Sequence, residues 1–365
     1  MKGIDFNMKN LENVKLKELR EDRLAPAQVD AVEKLDEKVR KGAPMEKLIC
    51  GIDSGFGRIK VAYRDSLKGD IKVFCLESTL TIDQKCDDLD KTIYINGIPC
   101  DTLSHNKLTK TKNITKDNDY SIMNMYRALY ELYKRTKTTK FIIGLGASMD
   151  TYKSQEAKDK LRARAMKKNE ITVREHGQEE VTLYIEDVQI QPETACAIFS
   201  MPDEVNRLED NLLIDLGTLN SQFIPYCKTP MIDEAYSSEC GYDFIVRNLV
   251  TKFKGKGINI KEFQVENAIE SLSTQKKEIQ KVINEYMIKD FLGTTFPKEL
   301  KEAGYNELLG QKLIFVGGTS ARFAPHIKKV YKDAIFAKDP FYASVIGMYL
   351  RTYKSYTDKK VAKGA

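Results

Sequence analysis

Two distant segments of the chain follow one scheme of apolar and polar positions. After a charged stretch, Lys47 leads into the apolar run Leu48-Ile49-Cys50-Gly51-Ile52. That run continues as Asp53-Ser54-Gly55-Phe56-Gly57-Arg58-Ile59-Lys60-Val61-Ala62-Tyr63. The glycines predict a tight turn between two strands. Far downstream, Leu212-Leu213-Ile214-Asp215-Leu216-Gly217-Thr218-Leu219-Asn220-Ser221-Gln222-Phe223-Ile224 gives the same order of apolar strand, Asp-x-Gly turn and second strand. Two such copies are a repeat of one functional unit, not the short period of a solenoid.

Between the copies, Ile122, Met125, Tyr126, Leu129, Leu132 and Tyr133 fall on one side of a helix predicted over 120–133. A buried strand is predicted over 141–145, a charged helix over 154–168, and strands over 171–173 and 181–190. After the second copy, the polar stretch 244–299 reads as mainly helical. A strand at 312–316 then opens into Gly317-Gly318-Thr319 and a helix. The pattern predicts an α/β protein with mixed sheets in two similar halves.

The first 46 residues are dense in charges of both signs, and Pro26 precedes Val29, Val32, Leu35 and Val39 at helical spacing. This predicts an amphipathic helix ending near Gly42. Its apolar stripe packs either on the body of the protein or against another subunit or partner.

A length of 365 residues fits two domains of ordinary size. No run approaches the roughly 18 to 20 apolar residues of a membrane span, and the first 25 residues are too charged for a secretory signal, so a cytoplasmic protein with no membrane partner is expected. The seven cysteines form no C-x-x-C pair and are odd in number, which points to reduced thiols. His105, His176 and His326 are isolated, leaving little from which to build a zinc site. The net charge of +6 arises from many residues of both signs and reads as solvated faces. The basic stretches 158–168 and 251–257 could touch nucleic acid or a neighbouring subunit. Neither has the aromatic interleaving of a single-strand binder, so direct nucleic-acid binding is not expected to be required.

The candidate chemistry lies in the turns. An Asp-x-Gly turn lets backbone N–H groups approach a phosphate, because glycine has no Cβ to hold them away. The adjacent carboxylate would repel that phosphate unless Mg²⁺ sat between them, usually through water. Two such turns facing each other would clamp a triphosphate, and Lys60 would add a point charge. Single Asp-x-Gly turns are common. Two after apolar strands, with Val316-Gly317-Gly318-Thr319 at a strand-to-helix junction, are far more specific.

This order of first phosphate turn, connecting helix, second phosphate turn and Gly-Gly adenosine turn is similar to the superfamily of actin, sugar kinases and heat-shock chaperones. Within it, the chain resembles the ParM family of plasmid-segregating actins. The resemblance rests on Ile52 to Lys60, on Glu186-Asp187-Val188-Gln189-Ile190-Gln191-Pro192-Glu193-Thr194, and on Leu213 to Thr218. It continues with Gly241, Phe315 to Ser320 and Gly347-Met348-Tyr349-Leu350, and runs from about Lys47 to the C-terminus. It implies an actin-like fold of two domains, each a ribonuclease-H-like mixed sheet flanked by helices, with nucleotide in the interdomain cleft. The implied divisions are an N-terminal extension (1–46), domain I (47–190 with 337–365) and domain II (191–336, with a helical subdomain at about 244–310).

The resemblance further implies that Asp53 and Asp215 face the metal, and that Glu193 orients the water attacking the γ-phosphate of ATP or GTP. Glu193 also reads as a carboxylate favoured by a helix start. Ser54, Gly55, Phe56, Gly57, Arg58, Lys60, Gly217, Thr218, Leu219, Asn220, Gly241, Gly317, Gly318 and Thr319 are the implied nucleotide-binding residues. The expected activity is nucleoside triphosphate hydrolysis coupled to a head-to-tail polymer. A DNA-binding adaptor at a centromere-like plasmid site would be its partner. The second turn departs from the family's pattern, lacking a second glycine and a later acid. Ala195, Ala197, Ala343, Ser344 and Gly347 would let two helices cross closely, as a hinge beneath the cleft or as plain core packing. Two other functions use the same cleft: a non-polymerising kinase or ATPase of the superfamily, and a non-hydrolysing actin-like scaffold.

Overall fold

The computed structural model describes residues 46–362 apart from Phe56, 67–68, 79, 83–88, 103–118, 202–204 and 206–208. The helix expected between Pro26 and Gly42 lies outside the described residues, and so does the candidate Phe56.

Strands β1 (Leu48–Ser54) and β2 (Arg58–Tyr63) form the expected hairpin, and β3 (Lys72–Glu77) extends it. The short strands β4 (Thr81–Ile82), β5 (Thr92–Ile95) and β6 (Ile98–Asp101) precede helix α1 (Asp119–Thr136) and strand β7 (Lys140–Ala147). Helices α2 (Met149–Lys153) and α3 (Gln155–Ala165) then lead to β8 (Glu170–Glu175) and β9 (Val181–Pro192). Ser148 and Ser154 cap α2 and α3, accepting from Thr151 N and Ala157 N. Helix α3 stops at Ala165, three residues short of the helix read from the sequence, as the chain turns into β8. The nine strands are ordered β3-β2-β1-β7-β9-β8-β5-β6-β4, with β1, β7 and β9 parallel.

All seven residues of β1 are buried, because helices cover both faces of the sheet. Leu48, Cys50 and Ile52 pack in the cluster with Met125, Leu129 and Leu132 of α1. Ile49 packs on the other face with Val345 and Tyr349 of helix α10 (Ala343–Ala362). A central strand buried on both faces must read as a continuous apolar run, and this one does.

The second sheet begins after α4 (Glu193–Cys196) with β10 (Asn211–Leu216), β11 (Ser221–Cys227), β12 (Thr229–Pro230) and β13 (Tyr236–Ser238). A helical segment follows: α5 (Tyr242–Gly255), α6 (Glu262–Glu270), α7 (Lys277–Glu285), a π-helical stretch (Tyr286–Thr295) and α8 (Phe296–Glu302). It matches the long polar region read as helical, whose buried side includes Phe253, Val265, Ile283, Phe291 and Phe296. Strand β14 (Lys312–Val316), helix α9 (Gly318–Val330) and strand β15 (Ile335–Phe336) complete the unit. Its order is β12-β11-β10-β14-β15, with β13 also on β11.

The two sheets share a plan. In each, an antiparallel hairpin (β1-β2, β10-β11) is continued on its inner side by two parallel strands (β7 and β9, β14 and β15). The repeat seen in the sequence is therefore a repeat of architecture. The chain leaves the first sheet at Pro192 and returns through α10, which packs on β1 and against α4. There a Cβ on Gly347 would fall on the carbonyl oxygen of Cys196, so only glycine permits the approach. Ala195, Ala197, Ala343 and Ser344 are all buried at this crossing.

Candidate functional site

The site is assembled from the C-terminal ends of β1, β10 and β14 and the turns that follow them. Because β10 and β14 are parallel and in register, Asp215 lies opposite Val316, which brings the Gly-Gly turn beside the second Asp-x-Gly turn. Thr319 Oγ1 donates to Gly217 O at 2.8 Å and ties the two together. The same carbonyl accepts from Tyr242 N at 3.0 Å, and Thr218 O accepts from Asp243 N at 2.9 Å, so the first turn of α5 is fastened to this loop. Gly241 is the residue preceding that helix. Gly217 N closes its own turn onto Asn220 O at 3.0 Å.

Gly317 adopts φ 91° and ψ 159°, a conformation essentially reserved for glycine. The space is also closed to a side chain: a Cβ there would fall on Asp215 Oδ1 and lie 2.6 Å from Leu216 O. The backbone of the Gly-Gly turn thus rests directly on the Asp215 carboxylate.

The first hairpin approaches from the other sheet. A Cβ on Gly57 would lie 2.8 Å from Thr218 Oγ1, so the two Asp-x-Gly turns meet with one glycine against one threonine. Asp53 and Lys60 are cross-strand neighbours, and Lys60 Nζ lies 2.9 Å from Asp53 Oδ2 with both side chains mostly buried. Ser54 is buried beside them. Gly55 O accepts from Ser78 Oγ. Arg58 turns to β3, where it pairs with Glu77 at 2.9 Å and reaches Cys75 Sγ at 3.6 Å.

Glu193 is the first residue of α4 and follows Pro192 at the end of β9. Its carboxylate lies over β7: a Cβ on Gly146 would be 2.7 Å from Glu193 Oε1. Thr194, next in the chain, is buried and places its hydroxyl 2.6 Å from Gln222 Oε1 and 3.2 Å from Asp215 Oδ2. Asp215 is thus positioned by a residue of the linking helix.

Thr194 and Gln222 lie within the motifs but had no assigned role; in the fold the Thr194 hydroxyl lies between Gln222 and its cross-strand neighbour Asp215. Phe341 carried no functional signal in the sequence. Phe341 lies in the Asp339-Pro340-Phe341-Tyr342 turn before α10, which reads as ordinary turn chemistry. In the fold it sits under Lys60, whose Nζ is 5.3 Å from its ring centroid. It also abuts the Gly-Gly turn, where a Cβ on Gly318 would lie 3.1 Å from its ring.

The arrangement fits an anionic ligand with a hydrated cation. Glycines at the meeting point leave room that any Cβ would fill, and carboxylates from both halves border it. Among the described residues no group of three or more His, Cys, Asp or Glu side chains forms a cage for a metal ion. A magnesium ion that keeps its waters and binds substrate phosphate needs no such cage. Among the described residues no helix is long and apolar enough to cross a membrane.

No protein-family model and no curated protein matches the chain. Its structure, however, is similar to several solved ones. The actin-like protein Alp7A superimposes with a TM-score of 0.66 at 12 % identity, covering 87 % of this chain and 99 % of that one. The Alp12 filament structure gives 0.61 at 18 % identity over 86 % of this chain and 100 % of that one. Bacillus thuringiensis ParM with ATP gives 0.61 at 12 % identity over 86 % and 100 %. The chain has the actin-like fold, and the resemblance to ParM-like proteins read from its motifs extends to the whole architecture.

Proposed function

We propose that this chain is a nucleoside triphosphate hydrolase that assembles head-to-tail with bound nucleotide and moves DNA, most simply a plasmid. The observation that carries the reading is the meeting of the three glycine turns, with Gly57 against Thr218 and Thr319 bonded to Gly217 O. Turns so joined form a cradle for a triphosphate, and ATP in the similar ParM structure and the filament of Alp12 support it.

In this reading Asp53 and Asp215 would hold Mg²⁺, mainly through water, and Ser54, Gly55, Gly57, Thr218, Leu219 and Asn220 line the phosphates. Bound Mg²⁺ supplies neutralisation of phosphate charge. Since Gly217 N is engaged within its turn, the amides after it are the ones left to face phosphate. Lys60, held by Asp53 and Phe341, adds positive charge at the same end. Glu193 orients the attacking water for in-line displacement at the γ-phosphate. Gly317, Gly318 and Thr319 border the sugar and α-phosphate. Residues 47–190 with 337–365 and residues 191–336 act as the two domains, hinged where α4 crosses α10. Loss of the γ-phosphate loosens closure and so the polymer. An adaptor that binds a centromere-like DNA site would link polymer to cargo.

Light scattering with pelleting tests this directly. Assembly is expected above a critical concentration with Mg-ATP or Mg-GTP and is absent with EDTA, followed by phosphate release. A chain that binds nucleotide yet stays monomeric at micromolar concentration would refute the polymer and leave a non-polymerising enzyme. Assembly without phosphate release would leave a scaffold.

A further inference from the structure

Helix α2 follows a strand of the first sheet yet packs in the core of the second. It begins just after Ala147, the last residue of β7, and Ser148 caps it by accepting from Thr151 N at 3.3 Å. With five residues it is too short to be held by its own hydrogen bonds and depends on what its side chains reach. Met149 is 1 % exposed and belongs to the apolar cluster that holds Ala195 and Ala197 of the linking segment and Leu213 and Ile224 of the second sheet. Tyr152 Oη accepts from Arg351 of α10 at 3.2 Å.

Lys153, the last residue of α2, completes the attachment. Its Nζ donates to Asp233 O at 3.2 Å and to Ala235 O at 3.1 Å. Both carbonyls lie in the 3-10 turn Ile232–Glu234 and the residue after it. That turn is fixed to the second sheet, since Met231 N donates to Pro225 O at 2.8 Å and Ile232 and Ala235 pack on the Met149 cluster. It runs straight into β13, where Ser237 lies opposite Gln222, the cross-strand neighbour of Asp215. The other end of α2 leads back to Glu193. Gly146, two residues before Ser148, is the platform under that carboxylate, with a Cβ there 2.7 Å from Glu193 Oε1. Glu193 also opens α4, whose Ala195 shares the cluster with Met149. The supports of Glu193 and of Asp215 therefore meet through α2.

We infer that Lys153 is a positioning residue for hydrolysis: by pinning α2 to the turn before β13, it keeps the end of β7, and Glu193 above it, in register with the second sheet's side of the nucleotide site. This rests on the hydrolase reading above. A water-orienting carboxylate is useful only at the right place relative to a γ-phosphate gripped by both sheets, and a group displaced by about 1 Å can lose about 10² in rate. Both bonds of Lys153 go to the turn at 233–235, so its effect passes through Glu193 and not through the nucleotide. One ammonium can serve two carbonyls because it carries three donors.

The test compares Lys153→Met with Lys153→Arg in the full chain. Methionine keeps the apolar stem and removes the donors, whereas arginine keeps several donors for the two carbonyls. The bonds lie at the surface, so melting temperature should fall by no more than a few degrees. Single-turnover phosphate release with Mg-ATP or Mg-GTP should slow about tenfold in Lys153→Met, while affinity for a fluorescent nucleotide analogue stays within about twofold. Lys153→Arg should restore the rate. In the background of Glu193→Gln, Lys153→Met should cost little more, because both changes act through one carboxylate. Wild-type release in Lys153→Met would overturn the inference. So would a defect that arginine does not rescue, or one that adds in full to that of Glu193→Gln, since each marks a support unconnected with Glu193. A wild type that binds nucleotide and releases no phosphate would instead sink the hydrolase reading, and the positioning role with it.

Discussion

Replacing Gly317 by alanine isolates how far the site depends on one backbone conformation. With φ 91° and ψ 159°, any residue but glycine is strained there by about 1–3 kcal/mol. The added Cβ also meets Asp215 Oδ1 and stands 2.6 Å from Leu216 O. Leu216 O belongs to β10 and is held by the sheet, so the carboxylate is what yields. It must retreat on the order of 1 Å to reach ordinary contact distance. The contact from Thr194, at 3.2 Å, is lost with it; because the single hydroxyl proton is shared with Gln222 Oε1 at 2.6 Å, that loss is at most about 1.5 kcal/mol. The sum is roughly 1–4.5 kcal/mol, or a fall in melting temperature of about 2–18 °C for a unit of 150–250 residues.

Gly177→Ala is the control, since Gly177 has φ 74° with nothing within 4 Å of a Cβ. It carries only the backbone cost of about 1–2 kcal/mol. Thermal melts of both variants would be read beside titrations with a fluorescent ATP analogue and Mg²⁺. Gly177→Ala should keep wild-type affinity. Gly317→Ala should lose about 10- to 100-fold, the usual penalty for a site displaced by about 1 Å. Wild-type affinity in Gly317→Ala, with melting no worse than the control, would refute the coupling of the Gly-Gly turn to Asp215.

Two further outcomes separate roles within the molecule. Asp215→Ala should weaken Mg-nucleotide binding and assembly together, whereas Glu193→Gln should bind and assemble while phosphate release slows by about 10²- to 10⁴-fold; unchanged release would remove Glu193 from the chemistry. His326 is pushed below its ordinary pKa by burial and by Lys329, and its Nε2 lies 2.6 Å from Asn284 Oδ1. The unfolded chain then binds the proton first as pH falls through about 6.5, so stability should drop on acidification by up to about 1.4 kcal/mol per pH unit from this group. In His326→Gln, melts between pH 7.5 and pH 5 should show a shallower slope, and an unaltered slope would assign the acid sensitivity elsewhere.

What the sequence revealed and what it hid follow from the range of each interaction. Strand β1 was legible because burial on both faces forces seven consecutive residues into the core, and α1 because its buried side repeats at helical spacing. The Asp-x-Gly and Gly-Gly turns were legible for a related reason: their conformational demands are met by residues adjacent in the chain. The supports of Asp215 were not. Thr194, which also meets Gln222, and Gly317 reach it from two different elements, and no spacing in one dimension encodes that convergence. Phe341 is harder still, because its contacts to Lys60 and Gly318 join both halves of the molecule through a turn whose composition signals only a turn.

The helical region after β13 shows the remaining gap. Its polarity marked it as helical, yet nothing in its pattern marked the π-helical stretch from Tyr286 to Thr295. That stretch keeps Tyr286, Met287, Phe291 and Leu292 buried together by widening the turn, which a 3.6-residue period cannot express. The exposed leucines were invisible for the opposite reason. Leu308 and Leu309 precede the strand read from the sequence at 312–316, and only the fold shows that both stand in water. A surface defined by failing to be buried can be found only once the core is known.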